Sequence, residues 1–227
     1  MEELKIEERN ILAYESPKKL LKMFAWPAII SMLANSLYNI IDQIFIGQAV
    51  GYLGNAATTI AFPIVTVVLA LGTLFGVGGS AFAAIKLGEG RKDVAEKVLN
   101  TVTTMAFIIG IIMMIAGLIY LEPILKIFGA TDQTMQYSKE FGGVMIAIIP
   151  ITMLIIGLAN LARADGNPRL AMRSLVSGVV INLLLAPFFI FQFHWGVWGA
   201  ALATACAQIF SLAVLIWYFV HSSKMRL

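Results

Sequence analysis

Six stretches of apolar residues, separated by short polar connections, constrain the fold of this sequence more than any other feature. A helix needs about 20 consecutive, mostly apolar residues to cross the hydrocarbon core of a bilayer. The backbone in that core must satisfy its own hydrogen bonds, and none of the stretches shows the alternating pattern of a barrel strand. The sequence therefore predicts an all-α integral membrane protein, a bundle of six transmembrane helices. The predicted spans are 23–48, 57–85, 98–121, 141–162, 170–193 and 197–220.

The composition agrees with a bilayer as the surrounding solvent. Hydrophobic residues make up 59% of the chain and charged residues 13%, whereas soluble domains average about 45–50% and about 25%. The single cysteine, Cys206, excludes a disulfide within the chain and a CxxC motif. His194 and His221 are predicted at opposite membrane faces, which excludes a shared metal site or a catalytic triad. We expect no enzymatic activity, no cofactor and no resident metal.

The basic residues lie on alternate connections, and this predicts the orientation of the chain. Fourteen of the 16 Lys and Arg residues fall in the two terminal segments and around the second and fourth connections, whereas only Lys126 and Lys139 fall on the other side. Because cytoplasmic connections carry the excess of basic residues, both termini are predicted in the cytoplasm, with no need for a nucleic-acid partner. The expected organisation is a cytoplasmic segment over 1–22, a six-helix lobe in the cell membrane over 23–221, and the start of a cytoplasmic linker over 222–227.

Asp42 is the only carboxylate well inside a predicted span. A charged side chain at the centre of a bilayer costs about 2.5–3.5 kcal/mol on insertion scales, so such an acid is a candidate for function. It shares a helical face with other polar residues at steps of three and four, and this polar stripe is expected to face protein or a watery cavity. The alternative is that Asp42 merely reaches the headgroups. The other residues of the stripe are Ser31, Asn35, and Tyr38 or Asn39.

The fifth and sixth spans carry two further stripes of small and polar residues. One contains Ser174, Ser177, Gly178 and Asn182, and the other contains Thr204, Gln208 and Ser211. Such residues commonly pack membrane helices together through close approach and interhelical hydrogen bonds. Alternatively, the two stripes combine with Asp42 to form an oxygen-rich pocket for a proton or Na⁺.

Several segments resemble the multidrug and toxic compound extrusion (MATE) transporters, most closely their bacterial drug-exporting branch. The similarity runs from about Ser16 to the end of the chain. It rests on Trp26-Pro27-Ala28-Ile29-Ile30-Ser31-Met32-Leu33, on 37–47, on Gly54-Asn55-Ala56-Ala57 through Phe62-Pro63-Ile64, and on Ile181-Asn182-Leu183-Leu184-Leu185 with Pro187.

The resemblance implies a secondary antiporter that exports amphipathic, often cationic compounds while H⁺ or Na⁺ enters. It assigns cation coupling to Asp42, Asn182 and Thr204. The residues expected to line the cavity are Ser31, Asn35, Tyr38, Asn39 and Gln208.

Two departures from the family pattern qualify what the resemblance implies. Many relatives carry a second acid in the fifth span, where this chain has Ala186, so coupling is expected to rest on Asp42 alone. Family members also have two six-helix lobes with substrate between them, and this chain resembles only the N-terminal lobe. The expected explanations are a fragment or truncation, or a half-transporter that pairs with a copy or a separate second half.

Two rival functions remain open at this point. One is a non-transporting membrane partner or inert remnant, which the half length favours. The other is a lipid-linked flippase of the same superfamily. Flippases tend to need a cationic cavity, and spans one, two and five offer no central Lys or Arg, which weighs against this alternative.

Overall fold

A computed structural model describes residues 16–223 and Met225, and within these residues the chain is helical. The expectations for residues 1–15, including Lys5 and Arg9, and for Lys224 and Arg226 lie outside the described residues. The helices are α1 Pro17–Val50, α2 Tyr52–Gly88, α3 Lys92–Ile119, α4 Leu121–Ile127, α5 Asp132–Ala147, α6 Ile149–Ala164, α7 Pro168–Pro187 with a π-helical extension Phe188–Gln192, and α8 Gly196–His221.

Five helices in the described part of the chain are long and apolar enough to cross a membrane on their own. These are α1, α2, α3, α7 with its π-helical extension, and α8. All five begin before the predicted apolar stretches, because a membrane helix continues past the hydrocarbon into its polar ends. The first, for example, begins at Pro17 rather than at residue 23, and the second at Tyr52 rather than at residue 57.

The fourth span is broken, and the prediction of one continuous helix over 141–162 is wrong. Helices α5 and α6 meet at Ile148 with a bend of 49°, and the pair passes as a sixth span only when taken together. Pro150 lies in the first turn of α6, where its missing N–H removes a helical hydrogen bond and its ring disfavours continuation of the preceding helix. The six-helix bundle is therefore confirmed with one bent member.

Close helix contacts depend on small side chains, as the sequence patterns of small residues suggest. Ser174 of α7 and Ser211 of α8 each donate a hydroxyl hydrogen bond to the other's backbone carbonyl, at 2.8 and 2.9 Å. Gly178, one turn along α7, lies against Ser211 without room for a Cβ. Helix packing is therefore the observed role of Ser174 and Gly178.

The two lysines predicted on the sparsely charged side share one carboxylate. Glu122 of α4 forms ion pairs with Lys126, at 2.9 Å, and with Lys139 of α5, at 2.6 Å. Hydrogen bonds from Lys139 and then from Lys126 lower the pKa of Glu122 to about 2. These contacts attach the short helix α4 to the beginning of α5.

We expect Gly110→Ala to destabilise the bundle, because a Cβ at this position would lie 2.6 Å from the Cα of Pro150. Backbone atoms cannot swing aside as a flexible side chain does, and overpacking of this kind costs about 1–3 kcal/mol. The measurement is the thermal midpoint of the purified chain in detergent. Gly78→Ala is the matched control, since nothing lies within 4 Å of its added Cβ. Equal midpoints for the two variants would contradict this packing.

Candidate functional site

A cavity of about 230 Å³, open at the exposed Asn35, lies among α1, α2, α6, α7 and α8. Its described lining combines apolar side chains with neutral polar ones and contains no Lys, Arg, Asp or Glu. Such a surface suits a ligand with both apolar and hydrogen-bonding parts. The polar members of the lining are Asn35, Tyr38, Thr152, Asn182, Thr204, Gln208 and Ser211.

Thr204 is the centre of a hydrogen-bond cluster that joins three helices. Its hydroxyl donates to the carbonyl of Ala200, one turn back on α8, at 3.2 Å. Having one proton, it must then accept from the phenol of Tyr38 on α1, at 2.8 Å, and from the amide nitrogen of Asn182 on α7, at 3.0 Å. All three side chains are thereby held in fixed orientations at the cavity wall.

Asp42 lies one helical turn beyond Tyr38 on α1, and its side chain is only 6% exposed. It therefore faces the interior of the bundle and not the headgroups. Among the described residues, Oδ1 of Asp42 has no hydrogen-bond partner, and the same is true of Oδ1 of Asn182. The region thus contains two buried oxygen acceptors with unused capacity, which is the chemistry that a proton or a hard cation requires.

The position of Ala186 is apolar and tightly packed. Ala186 lies one turn beyond Asn182 on α7 and belongs to a buried cluster that includes Ile46, one turn beyond Asp42 on α1. Both side chains are fully buried. The bundle is therefore packed with apolar side chains directly beyond Asp42, and Ala186, the position at which the resemblance implies a second acid, belongs to this apolar packing.

The structure brings most of the expected lining residues together and separates two of them. Asn35, Tyr38 and Gln208 line the cavity. Ser31 is buried but outside this lining, and its hydroxyl donates to the carbonyl of Pro27 at 2.8 Å. Asn39 is exposed, faces a separate shallow groove between α1 and α2, and donates to the carbonyl of Asn35 at 2.7 Å.

Two polar contacts at or near the site were not identified from the sequence. The hydroxyl of Thr152 on α6 donates to Oε1 of Gln208 on α8 at 2.5 Å, which joins two walls of the cavity. Gln43, next to Asp42, donates to the hydroxyl of Thr58 at 2.9 Å and so links α1 to α2. Thr152 is a single hydroxyl in an apolar segment and gives no periodic signal, whereas Gln43 was recognisable as a second polar residue beside Asp42.

Comparison with known proteins gives consistent results at the levels of sequence and fold. The chain is 31% identical over 210 residues to the multidrug export protein MepA of Staphylococcus haemolyticus, which covers 91% of this chain and 46% of the relative. It is 30% identical over 228 residues to MepA of Staphylococcus saprophyticus, covering 98% of this chain and 49% of the relative. The chain thus spans about half the length of the curated relatives it matches.

Solved structures match the fold over the same half length. The MATE multidrug transporter DinF-BH, determined as a complex with a bound compound, superposes with a TM-score of 0.91 at 33% identity and covers 97% of this chain and 50% of that chain. A MOP superfamily transporter from Pyrococcus furiosus, described as having a binding pocket of reverse polarity, gives 0.89 at 28% identity over 96% of this chain and 48% of that one. The described bundle therefore corresponds to a single lobe of such transporters.

The match to a family pattern is direct and covers most of the chain. The pattern named MatE matches residues 27–188, which include Asp42 and Asn182. Together with the identities to MepA, this match shows that this multi-pass membrane protein belongs to the MatE family.

Proposed function

We propose that the chain is the N-terminal lobe of a secondary antiporter that exports amphipathic, often cationic drugs in exchange for H⁺ or Na⁺. The observation that carries the proposal is the buried carboxylate of Asp42, one turn from the Tyr38–Thr204–Asn182 cluster at the wall of the 230 Å³ cavity. The names of the relatives, multidrug export proteins and multidrug transporters, support the export of drugs. We propose no enzymatic reaction and no cofactor.

In this proposal the coupling cation binds at Asp42, assisted by Asn182 and Thr204. A buried carboxylate is unfavourable in an apolar environment, and a bound proton or Na⁺ neutralises it. The unpaired oxygens of Asp42 and Asn182 are suitable acceptors for either ion. Neutralisation of Asp42 changes the charge next to the phenol of Tyr38, which biases the packing of α1 against α7 and α8 and so favours one access state over the other.

The membrane potential supplies enough free energy for the export of a neutral drug. One positive charge moving through about 150 mV releases roughly 3.4 kcal/mol, since each 100 mV is worth about 2.3 kcal/mol. At about 1.4 kcal/mol per factor of ten, this supports a gradient of a few hundredfold for a neutral drug. For a monocation exchanged one-to-one, the electrical terms cancel, and an ion gradient or a higher stoichiometry is required.

The neutral lining of the cavity favours drug export over transport of a lipid-linked substrate. A phosphate-bearing cargo calls for basic side chains, and the described lining contains none. The distribution of Lys and Arg supports a cell-membrane protein with its termini in the cytoplasm.

We further propose that a second six-helix lobe completes the substrate cavity, either as a separate chain, as a copy of this one, or as the remainder of a longer protein. The surface of helix α1 supports the presence of a second lobe, because it exposes polar as well as apolar side chains. Asn35, Ser36 and Asn39 are all exposed within its spanning part. Hydrocarbon is a poor environment for exposed amides, so this side of α1 suits a watery cavity or a protein neighbour. A non-transporting membrane partner or remnant is the alternative that the experiments below distinguish.

Asp42→Asn is expected to lower the rate of dye-driven H⁺ or Na⁺ movement at least about tenfold. The reason is that the amide cannot exchange a proton or supply a negative charge to Na⁺. The measurement uses proteoliposomes loaded with a cationic dye and an internal pH or Na⁺ indicator. Asp132→Asn, an exposed acid at the start of α5, is the control and should retain exchange. Exchange at the unmodified rate in the Asp42 variant would remove the proposed coupling role.

Thr204→Val is expected to lower stability by about 1–3 kcal/mol, because it leaves the buried amide of Asn182 and the phenol of Tyr38 without their shared acceptor. The free energy of unfolding is measured by SDS titration in mixed micelles. Thr66→Val is the matched control, since the exposed hydroxyl of Thr66 bonds only the carbonyl of Phe62 in its own helix. If both valine variants lose the same stability, the cluster does not have the proposed role.

Pairing and transport by the isolated chain are expected to occur together. Blue-native electrophoresis should give a species of two lobes whenever proteoliposomes of the 227-residue chain transport dye. Transport by a species of single-lobe mass would contradict the need for a second lobe. A single-lobe species without transport, together with transport on co-expression with a second six-helix half, would support a separate partner, and no transport in either case would favour the remnant.

A further inference from the structure

Two cavities outside the proposed transport site lie along the seam between α1 and α7, the first at the end of the bundle where both helices begin and the second further along the helices. The first, of about 600 Å³, is lined by Lys19, Lys22, Trp26 and Ile29 of α1 and by Arg169 of α7. The second, of about 530 Å³, has the cation Arg173 at one position and is otherwise mostly apolar. Its apolar lining includes Ile30, Met172, Val176, Val180 and Phe210.

The two cavities follow one another along the same helix faces. Trp26 lines the first cavity and Ile30, four residues later on α1, lines the second. Arg169 and Arg173 show the same four-residue step on α7. Residues four apart lie one above the other on a helix, so the cavities form one groove that is basic at the helix ends and apolar deeper in the membrane.

Three of the four basic residues that line this groove lack partners among the residues that the structure describes. Lys22, Arg169 and Arg173 are exposed and make no hydrogen bond or ion pair within the described chain. The described lining of the two cavities also contains no Asp or Glu. Basic side chains at a membrane interface without carboxylate partners are complementary to phosphate.

We propose that the α1–α7 groove is a binding site for an anionic phospholipid. Lys22, Arg169 and Arg173 hold the headgroup phosphate, and one acyl chain lies along the apolar part of the groove between α1, α7 and α8. Trp26, which is 66% exposed at the rim, lies at the level between headgroup and chain where indole rings are favoured. A free phosphate ion satisfies only the basic end of the groove, whereas a phospholipid satisfies both ends. The proposal does not depend on whether the chain transports drugs.

In the test, the full chain is reconstituted in phosphatidylcholine vesicles that contain bromine-labelled phosphatidylglycerol. The fluorescence of Trp26, and its quenching by bromine, is obtained as the difference between the unmodified chain and Trp26→Phe. We expect bromine-labelled phosphatidylglycerol to quench Trp26 more strongly than an equal content of bromine-labelled phosphatidylcholine does. Lys22→Gln with Arg169→Gln should weaken this preference by about 25-fold, because each basic group near an anionic headgroup contributes roughly fivefold, the equivalent of about 1 kcal/mol. Millimolar inorganic phosphate should not displace the labelled lipid.

Arg91→Gln with Lys97→Gln is the matched control for this test. It removes the same charge at the same end of the bundle from two exposed residues outside the groove, and should leave the preference unchanged. Equal quenching by the two labelled lipids would overturn the proposal. An equal loss in both double variants would also overturn it, because it would indicate general attraction to the membrane surface, and displacement by phosphate would indicate a site for a free anion. Size-exclusion chromatography verifies that every variant is folded.

Discussion

The structure depends on the inability of the lipid interior to hydrogen bond with the protein. Backbone groups are satisfied within helices, and side-chain polar groups must find partners inside the bundle. The reciprocal Ser174–Ser211 bonds and the cluster around Thr204 follow this requirement. Among the described residues, Oδ1 of Asp42 and Oδ1 of Asn182 are two of the few buried side-chain oxygens without a hydrogen-bond partner, and they are the groups to which we assign the coupling cation.

Packing and site formation use the same helix faces. On α7, Ser174 and Gly178 bring α8 close, and one turn later Asn182 reaches the hydroxyl of Thr204. The close approach of the two backbones is what allows so short a side chain as threonine to join three helices. Beyond this point, Ala186 and its apolar neighbours close the bundle. Small residues thus define both the position and the limit of the polar region.

Much of this arrangement was predictable from sequence, for physical reasons that also explain what was not. Apolar length identified the spans, and the cost of an intramembrane charge identified Asp42 as a residue facing inward, which its burial confirms. Helical periodicity alone could not decide between Tyr38 and Asn39, since both lie about one turn before Asp42; the decision depends on Thr204, a contact 166 residues away in sequence. The bend at Ile148 was missed because average hydropathy does not register the hydrogen bond that Pro150 removes.

The bend at Ile148 has a mechanical consequence for the cavity. The carbonyl of Ile148 accepts a hydrogen bond from the backbone N–H of Thr152 at 2.9 Å. The hydroxyl of Thr152 lies within hydrogen-bond distance of two acceptors, that carbonyl at 3.1 Å and Oε1 of Gln208 at 2.5 Å. The bend between α5 and α6 is therefore bonded directly to Thr152, a polar residue in the lining of the cavity. A change in the 49° angle between α5 and α6 would shift this hydroxyl relative to α8. The shape of the cavity therefore depends on the angle of the broken span.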